Sequence, residues 1–250
     1  MIVATTMRAF ALCLVSCVPA LALTGNAAPA GGPRHELLIV GSHGTSCTGT
    51  AVAHDLVLTA GHCIEQDTTY KVVEFDTARQ PHLLDVRQAI RHQQFNISEL
   101  FNHHATADVA LLKMAAPLPP GIFPATLATG FAAPAIGDTL TVTGYGVAIR
   151  GDGKTGGTLR SARLAVIGKP GNLQVRLVDP STGGARAGLG ACTGDSGAPV
   201  YAASGELMGI VSWSTGPNMT EGCGGITGVT PLSLYRRWIV ETSRRLSSPF

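Results

Sequence analysis

Charged residues are scarce in this sequence. Asp, Glu, Lys and Arg together make up 14% of its 250 residues, and they form no acidic or basic block. Because nucleic-acid-binding proteins carry clustered basic residues, this scatter and the formal net charge of +2 argue against that class. Hydrophobic residues make up 45%, a share that is atypical of disordered chains and predicts a packed globular protein.

Long helical periodicity is also missing before the last twenty residues. Short apolar runs of strand length recur instead, separated by many of the 31 glycines and 15 prolines, which predicts a mainly β protein. The stretch 232–246 is the exception, because its apolar residues form one stripe with arginines outside it, as in a surface helix. The strand-like runs lie at 37–40, 50–52, 56–59, 70–75, 109–114, 139–143, 173–178 and 206–213.

A proline-rich, uncharged stretch at 115–134 divides these runs into two comparable groups. Such a composition is typical both of a connection between domains and of a surface loop within one domain. We predict a leader over 1–30, a first β domain over 31–125 and a second β domain over 126–250.

The leader has the features of a secretory signal peptide. A short basic region begins at Met7, an almost uncharged apolar run follows at 9–23, and an Ala-Leu-Ala cleavage pattern ends at Ala22. The run is short and contains Pro19, which argues against a membrane span. The tetrapeptide that ends at Cys17 also resembles a lipoprotein box, with a lipid anchor as the minority alternative. We expect a secreted or periplasmic protein.

Four cysteines follow the leader. In an oxidising compartment an even number predicts two disulfides, and four cysteines allow three pairings. A zinc site is the competing use, but the sequence has no Cys-x-x-Cys or Cys-x-x-His spacing. The cysteines are Cys47, Cys63, Cys192 and Cys223.

Three motifs carry residues suited to nucleophilic catalysis. His62 lies in LTAGHC, Asp108 in TADVALLK and Ser196 in GDSGAP. Taken singly, each has an ordinary interpretation as a structural histidine, a turn acid or a tight turn. Amide hydrolysis needs a nucleophile, a base and a group that fixes the tautomer of the base, and these three residue types supply those roles near neutral pH. Small neighbours also allow the N–H groups of Gly194 and Ser196 to face an oxyanion.

In this order the motifs resemble those of the chymotrypsin/trypsin-like serine proteases. The resemblance extends from about residue 37 to the C-terminus and includes VTGYG at 142–146 and IVSW at 210–213. It implies an all-β fold of two perpendicular six-stranded antiparallel β-barrels with a C-terminal α-helix. The first barrel would carry His62 and Asp108, and the second Ser196. The implied protein is a monomeric endopeptidase that cleaves polypeptides through an acyl-enzyme and needs neither cofactor nor metal.

The resemblance also implies further pairings and roles. It joins Cys47 to Cys63 and Cys192 to Cys223, since family bridges precede the histidine and bracket the serine. Asp195 is then the residue that orders the oxyanion loop. The strand that pairs with the substrate backbone contains Ser212, Trp213 and Ser214.

The primary specificity pocket follows from the same resemblance. Its base is Gly190, followed by Ala191, and Gly228 is placed on the opposite wall. These small neutral residues predict cleavage after large apolar or aromatic residues. Two residues indicate other substrate preferences. Ser214 narrows the entrance of the pocket, and Glu221, in a long loop, favours a basic substrate side chain.

Activation departs from the family pattern. The sequence Ile-Val-Gly at 39–41 resembles the family's freed terminus, but it lies only a few residues before Cys47 and is better interpreted as the first strand. We expect either that no trypsin-like zymogen cleavage is needed or that another cation neutralises Asp195, such as Arg34 or Arg186.

Three alternatives belong to other classes. An α/β-hydrolase esterase would place its histidine after the nucleophile, whereas the last histidine, His104, precedes Ser196. A binding protein on a protease scaffold usually lacks a member of the catalytic set, and all three are present here. A metal site lacks any regular ligand spacing. The histidines considered for it are His82, His92, His103 and His104.

Overall fold

A computed structural model describes residues 23–32, 34–76, 78–129 and 134–248. Most of the predicted leader, including its cleavage pattern and Cys17, lies outside the described residues. The described strands, in chain order, are β1 (Ala28–Pro29), β2 (Glu36–Gly41), β3 (Ser46–Ala53), β4 (Leu56–Thr59), β5 (Tyr70–Phe75), β6 (Pro81–Arg91), β7 (Ala110–Met114), β8 (Thr139–Gly144), β9 (Arg160–Gly168), β10 (Val175–Val178), β11 (Pro199–Tyr201), β12 (Leu207–Ser214) and β13 (Thr227–Pro231).

The first barrel closes in the order β2-β3-β4-β7-β6-β5, with antiparallel neighbours throughout. Its core forms because inward positions of the strands are apolar and fully buried, as at the paired residues Leu58 and Leu111. Ile39 lies in the middle of β2, as the sequence predicts for a first barrel strand.

The second barrel closes through β8-β9-β10-β13-β12-β11, and β11 pairs back with β8. The short strand β1 adds to β9, so the segment that precedes the first barrel packs on the second. Leu23 and Ala27 are buried in the second core, and the N–H of Thr24 donates to the carbonyl of Gly190 at 3.1 Å. The predicted fold of two six-stranded antiparallel barrels is confirmed.

The segment 115–129 joins the two barrels. The N–H of Ala125 donates to Ala51 in the first barrel at 2.8 Å, and the N–H of Ala128 donates to Leu207 in the second at 3.1 Å. Backbone bonds on both sides therefore fix this segment, and the exact domain boundary near residue 125 stays a prediction.

The described residues contain two α-helices. The C-terminal helix α2 spans Arg236–Arg245 and buries Ile239, whereas residues 232–234 of the predicted helix form a separate 3₁₀ turn. The helix α1 (Ile97–Phe101) begins after Asn96, whose side-chain oxygen accepts from the N–H of Ser98 at 2.9 Å. Neither helix is long enough to cross a membrane.

Candidate active site

His62 lies in a 3₁₀ turn directly after β4 and points to Asp108. Its Nδ1 is 2.9 Å from Oδ2 of Asp108, and its backbone N–H donates to Oδ1 at 2.8 Å. Gly61 permits this approach, because a Cβ there would lie 3.2 Å from Oδ1 of Asp108. The Nδ1 contact orients the imidazole and leaves Nε2 for another partner, and the backbone bond fixes the turn that carries the ring.

Asp108 is fully buried, so its carboxylate depends on hydrogen-bond donors. In addition to His62, the hydroxyl of Ser212 donates to Oδ2 at 2.5 Å. Ser212 is the extra residue of a β-bulge, because Val211 pairs with Val229 while Trp213 pairs with the preceding Gly228. Sequence reasoning assigned Ser212 to substrate binding and missed this contact, which no local spacing signals.

Ser196 lies in the turn before β11 and shares a cavity of about 490 Å³ with His62, Gly194 and Ser214. Its carbonyl accepts from the N–H of Thr48 in the first barrel at 2.8 Å. The next residue must be glycine, since Gly197 has φ +78° and a Cβ there would lie 2.4 Å from the carbonyl oxygen of Thr48. The structure therefore brings Ser196 and His62 to one cavity from different barrels.

Two N–H groups beside Ser196 have a fixed direction. The carbonyl that precedes Gly194 accepts from the N–H of Val147 at 2.8 Å, and the carbonyl that precedes Ser196 accepts from Ala198 at 2.9 Å. Because the carbonyl and N–H of a trans peptide point in opposite directions, these bonds turn the N–H groups of Gly194 and Ser196 away from the loop. Among the described residues, no hydrogen bond uses either N–H.

The side chain of Asp195 holds the loop of Gly194 and Ser196 through two hydrogen bonds. Its fully buried carboxylate accepts from the N–H of Gly146 and from the N–H of Cys192, both at 2.9 Å. Burial raises the pKa of Asp195 to about 7, although both bonds oppose the rise. Gly144 is required here, because a Cβ would lie 2.2 Å from Oδ1 of Asp195.

The cations expected to neutralise Asp195 lie elsewhere. Arg34 donates to the carbonyl of Phe75 and pairs with Glu74, and Arg186 is exposed. Arg160, which is 2% exposed, lowers the pKa of Asp195 through its charge. Its position on β9 opposite Gly144 explains this proximity.

The disulfides join Cys47 to Cys63 and Cys192 to Cys223, as the resemblance implies. The first links β3 to the His62 turn, and the second links the Ser196 loop to the segment before β13.

The histidines considered as metal ligands are dispersed among other partners. They contact Asp76 (His82), Tyr235 and Trp238 (His92), Trp213 (His103) and Glu99 (His104).

The first two residues of β13 bear on the predicted primary pocket. A Cβ on Gly228 would lie 2.0 Å from the indole of Trp213, so Gly228 lies against that ring, and its place in the pocket wall stays a prediction. The preceding residue, Thr227, is fully buried, and its hydroxyl accepts from the N–H of Ala191 at 3.0 Å. The bulge at Ser212 explains the contact between Trp213 and Gly228, because it shifts the pairing of β12 with β13 by one residue.

The structure also gives the burial and contacts of the other residues predicted for the pocket. Gly190 and Ala191 are buried, and a Cβ on Gly190 would lie 3.0 Å from the Cα of Gly224. Ser214 lines the cavity beside Ser196. Glu221 does not reach toward Gly190 but forms an exposed ion pair with Arg150 across the cavity mouth.

Two closed barrels that meet at a cavity lined by a serine and an aspartate-bound histidine define the chymotrypsin/trypsin-like class of serine proteases. Comparison with known proteins agrees, since the family model described as Trypsin matches residues 24–239. The chain belongs to the trypsin family.

Curated relatives cover most of the chain at low identity. Trypsin iota of Drosophila melanogaster is 30% identical over 178 residues, which are 67% of this chain and 68% of the relative. Trypsin-3 of Salmo salar is 26% identical over 206 residues, 78% of this chain and 82% of the relative. Snake venom serine protease rhinocerase 4 of Bitis rhinoceros is 24% identical over 212 residues, 82% and 81% of the respective chains.

Proposed function

We propose that the protein is a secreted serine endopeptidase in which Ser196 is the nucleophile, His62 the general base and Asp108 the group that orients the base. The observation that carries the proposal is the contact of His62 Nδ1 with buried Asp108, with Ser196 on the same cavity. Membership of the trypsin family supports the reaction class.

The reaction proceeds in two halves. The Oγ of Ser196 attacks the substrate carbonyl while Nε2 of His62 takes its proton, and the N–H groups of Gly194 and Ser196 stabilise the oxyanion. The imidazolium then protonates the leaving amine, which breaks the peptide bond and leaves an acyl-enzyme. Water then attacks this ester while His62 takes one of its protons, and the imidazolium returns that proton to Oγ of Ser196, which breaks the ester bond and releases the carboxylic acid product. Asp108 holds the imidazole with its proton on Nδ1 and stabilises the imidazolium.

We propose that the residue before the scissile bond is small and uncharged, such as Ala or Val, in place of the large apolar residue that sequence reasoning favoured. Thr227 fills the position that a glycine would leave open, and its hydroxyl is bonded to Ala191. Gly224 closes the space below Gly190. A shallow neutral pocket accepts a few carbon atoms and offers no charge to a basic side chain.

Secretion is part of the proposal. It is supported by the signal-like leader and by two disulfides, which persist in oxidising compartments. Both features suit an enzyme that acts on polypeptides outside the cytoplasm.

Labelling with a fluorophosphonate probe tests the function. The purified mature protein is expected to label, and Ser196→Ala and His62→Ala are expected to abolish labelling. Ser204→Ala, at an exposed turn, is the matched control and should label like wild type. A folded wild type that neither labels nor cleaves a peptide library would show instead a scaffold that binds without cutting. The library then measures the preference for small residues before the scissile bond.

A further inference from the structure

Beyond the primary pocket, three side chains form a stack that we call the Trp213 ledge, made of Trp213, His103 and Arg176. The His103 ring is stacked on the indole, with centroids 4.4 Å apart and planes at 24°. The Cζ of Arg176 is 5.8 Å from the centre of the indole. Trp213 lies between Ser212, which contacts Asp108, and Ser214, which lines the cavity of Ser196. The ledge therefore adjoins the candidate active site.

The ledge is assembled from both barrels. Arg176 belongs to β10 in the second barrel, while His103 belongs to the loop before β7 in the first. Gln174 joins them, because its side-chain amide donates to the carbonyl of His103 at 3.4 Å and its oxygen accepts from Nε of Arg176 at 3.3 Å. Gln174 is itself 4% exposed, so the joint is fixed. The guanidinium is held by one of its five N–H groups and keeps the others for a ligand.

The ledge carries positive charge without an acidic partner. Burial lowers the pKa of His103, and the nearby charge of Arg176 lowers it further. Arg176 thus supplies the charge near neutral pH, and His103 supplies a flat neutral surface. None of the ion pairs among the described residues includes Arg176. A partly exposed cation beside a peptide-binding cleft favours an incoming carboxylate.

We propose that the Trp213 ledge selects substrates with Asp or Glu among the second to fourth residues before the scissile bond. The inference rests on the proposed function and on the implication of the family resemblance that an extended substrate pairs with the strand of Ser212, Trp213 and Ser214. The methylene groups of the acidic side chain lie on the His103 ring, and its carboxylate accepts from the free N–H groups of Arg176.

Peptide kinetics test the proposal on the full mature enzyme. Each peptide carries the best residue from the library before the scissile bond and Glu, Gln or Lys at one upstream position. For wild type, kcat/KM for the Glu peptide should exceed that for its Gln isostere about fivefold at one position, as expected for a partly exposed ion pair. The advantage should shrink as salt is added.

Variants assign the effect to Arg176. Arg176→Gln should bring the Glu-to-Gln ratio close to one, and Arg176→Lys should retain part of it. Arg163→Gln removes the same charge from an exposed position on β9 and should leave the ratio unchanged. The rate of fluorophosphonate labelling verifies that each variant is folded and active.

The outcomes separate the two proposals. The ledge proposal is refuted if wild type cleaves all peptides with a Glu-to-Gln ratio near one at every position. It is also refuted if Arg176→Gln does not change that ratio. Either result leaves the proposed protease function unaffected. Absence of both cleavage and labelling in wild type overturns the proposed function itself.

Discussion

The buried carboxyl of Asp195 makes stability depend on pH in a direction opposite to that of a salt-bridged acid. Its folded pKa is about 7 against an ordinary value of 3.8, because burial disfavours the ionised form. The folded state therefore holds this proton more tightly than the unfolded state. The resulting stabilisation is fully present below pH 3.8 and is lost as the pH rises through about 7.

The magnitude follows from the two pKa values. Integrating the difference in bound protons gives a loss of about 2 to 3 kcal/mol in the free energy of unfolding between about pH 5 and about pH 8. Asp195→Asn has no proton to lose and should abolish this part of the pH dependence of the unfolding free energy. The Asn amide offers one acceptor oxygen to the two N–H groups of Gly146 and Cys192. The loss of the second hydrogen bond lowers the free energy of unfolding by the same amount at both pH values.

The assay is urea unfolding followed by tryptophan fluorescence, with disulfides intact and Ser196→Ala present throughout to prevent self-cleavage. Subtracting the Asp195→Asn curve from its parent at each pH cancels the other titrating groups. Asp67→Asn, at an exposed position, is the control and should keep the parent's pH dependence. An Asp195→Asn variant with the same pH dependence as its parent would refute the reasoning.

Three further substitutions test other contacts. Ser212→Ala removes the donor 2.5 Å from Asp108 and should lower kcat/KM about tenfold in peptide cleavage; an unchanged value would show that His62 alone holds the carboxylate. Gly197→Ala, with φ +78° and a Cβ 2.2 Å from Thr59 Oγ1, should lose more than about 2 kcal/mol of unfolding free energy. Its control, Gly205→Ala, has φ +85° and open space, so equal losses would contradict the steric argument. Thr227→Gly should raise the preference for Leu over Ala before the scissile bond about tenfold in the peptide library. An unchanged preference would show that Thr227 does not line the pocket.

Strands that consist of short apolar runs were predictable, and several others were not. The predicted runs at 37–40, 56–59 and 109–114 match β2, β4 and β7, because their inward residues are apolar. The strand β6 was missed because most of its residues are exposed, so no apolar alternation marks it. The helix α1 was missed because five residues are too few to show a helical period.

The sequence by itself determined the order of the motifs, the strand-rich class and the glycines around Ser196, since these depend on local pattern and turn chemistry. Only the tertiary structure decided which residues meet across the barrels. The bulge at Ser212 turns that hydroxyl onto Asp108 and slides β12 by one residue against β13. Because strand side chains alternate, that single shift places Trp213 over Gly228.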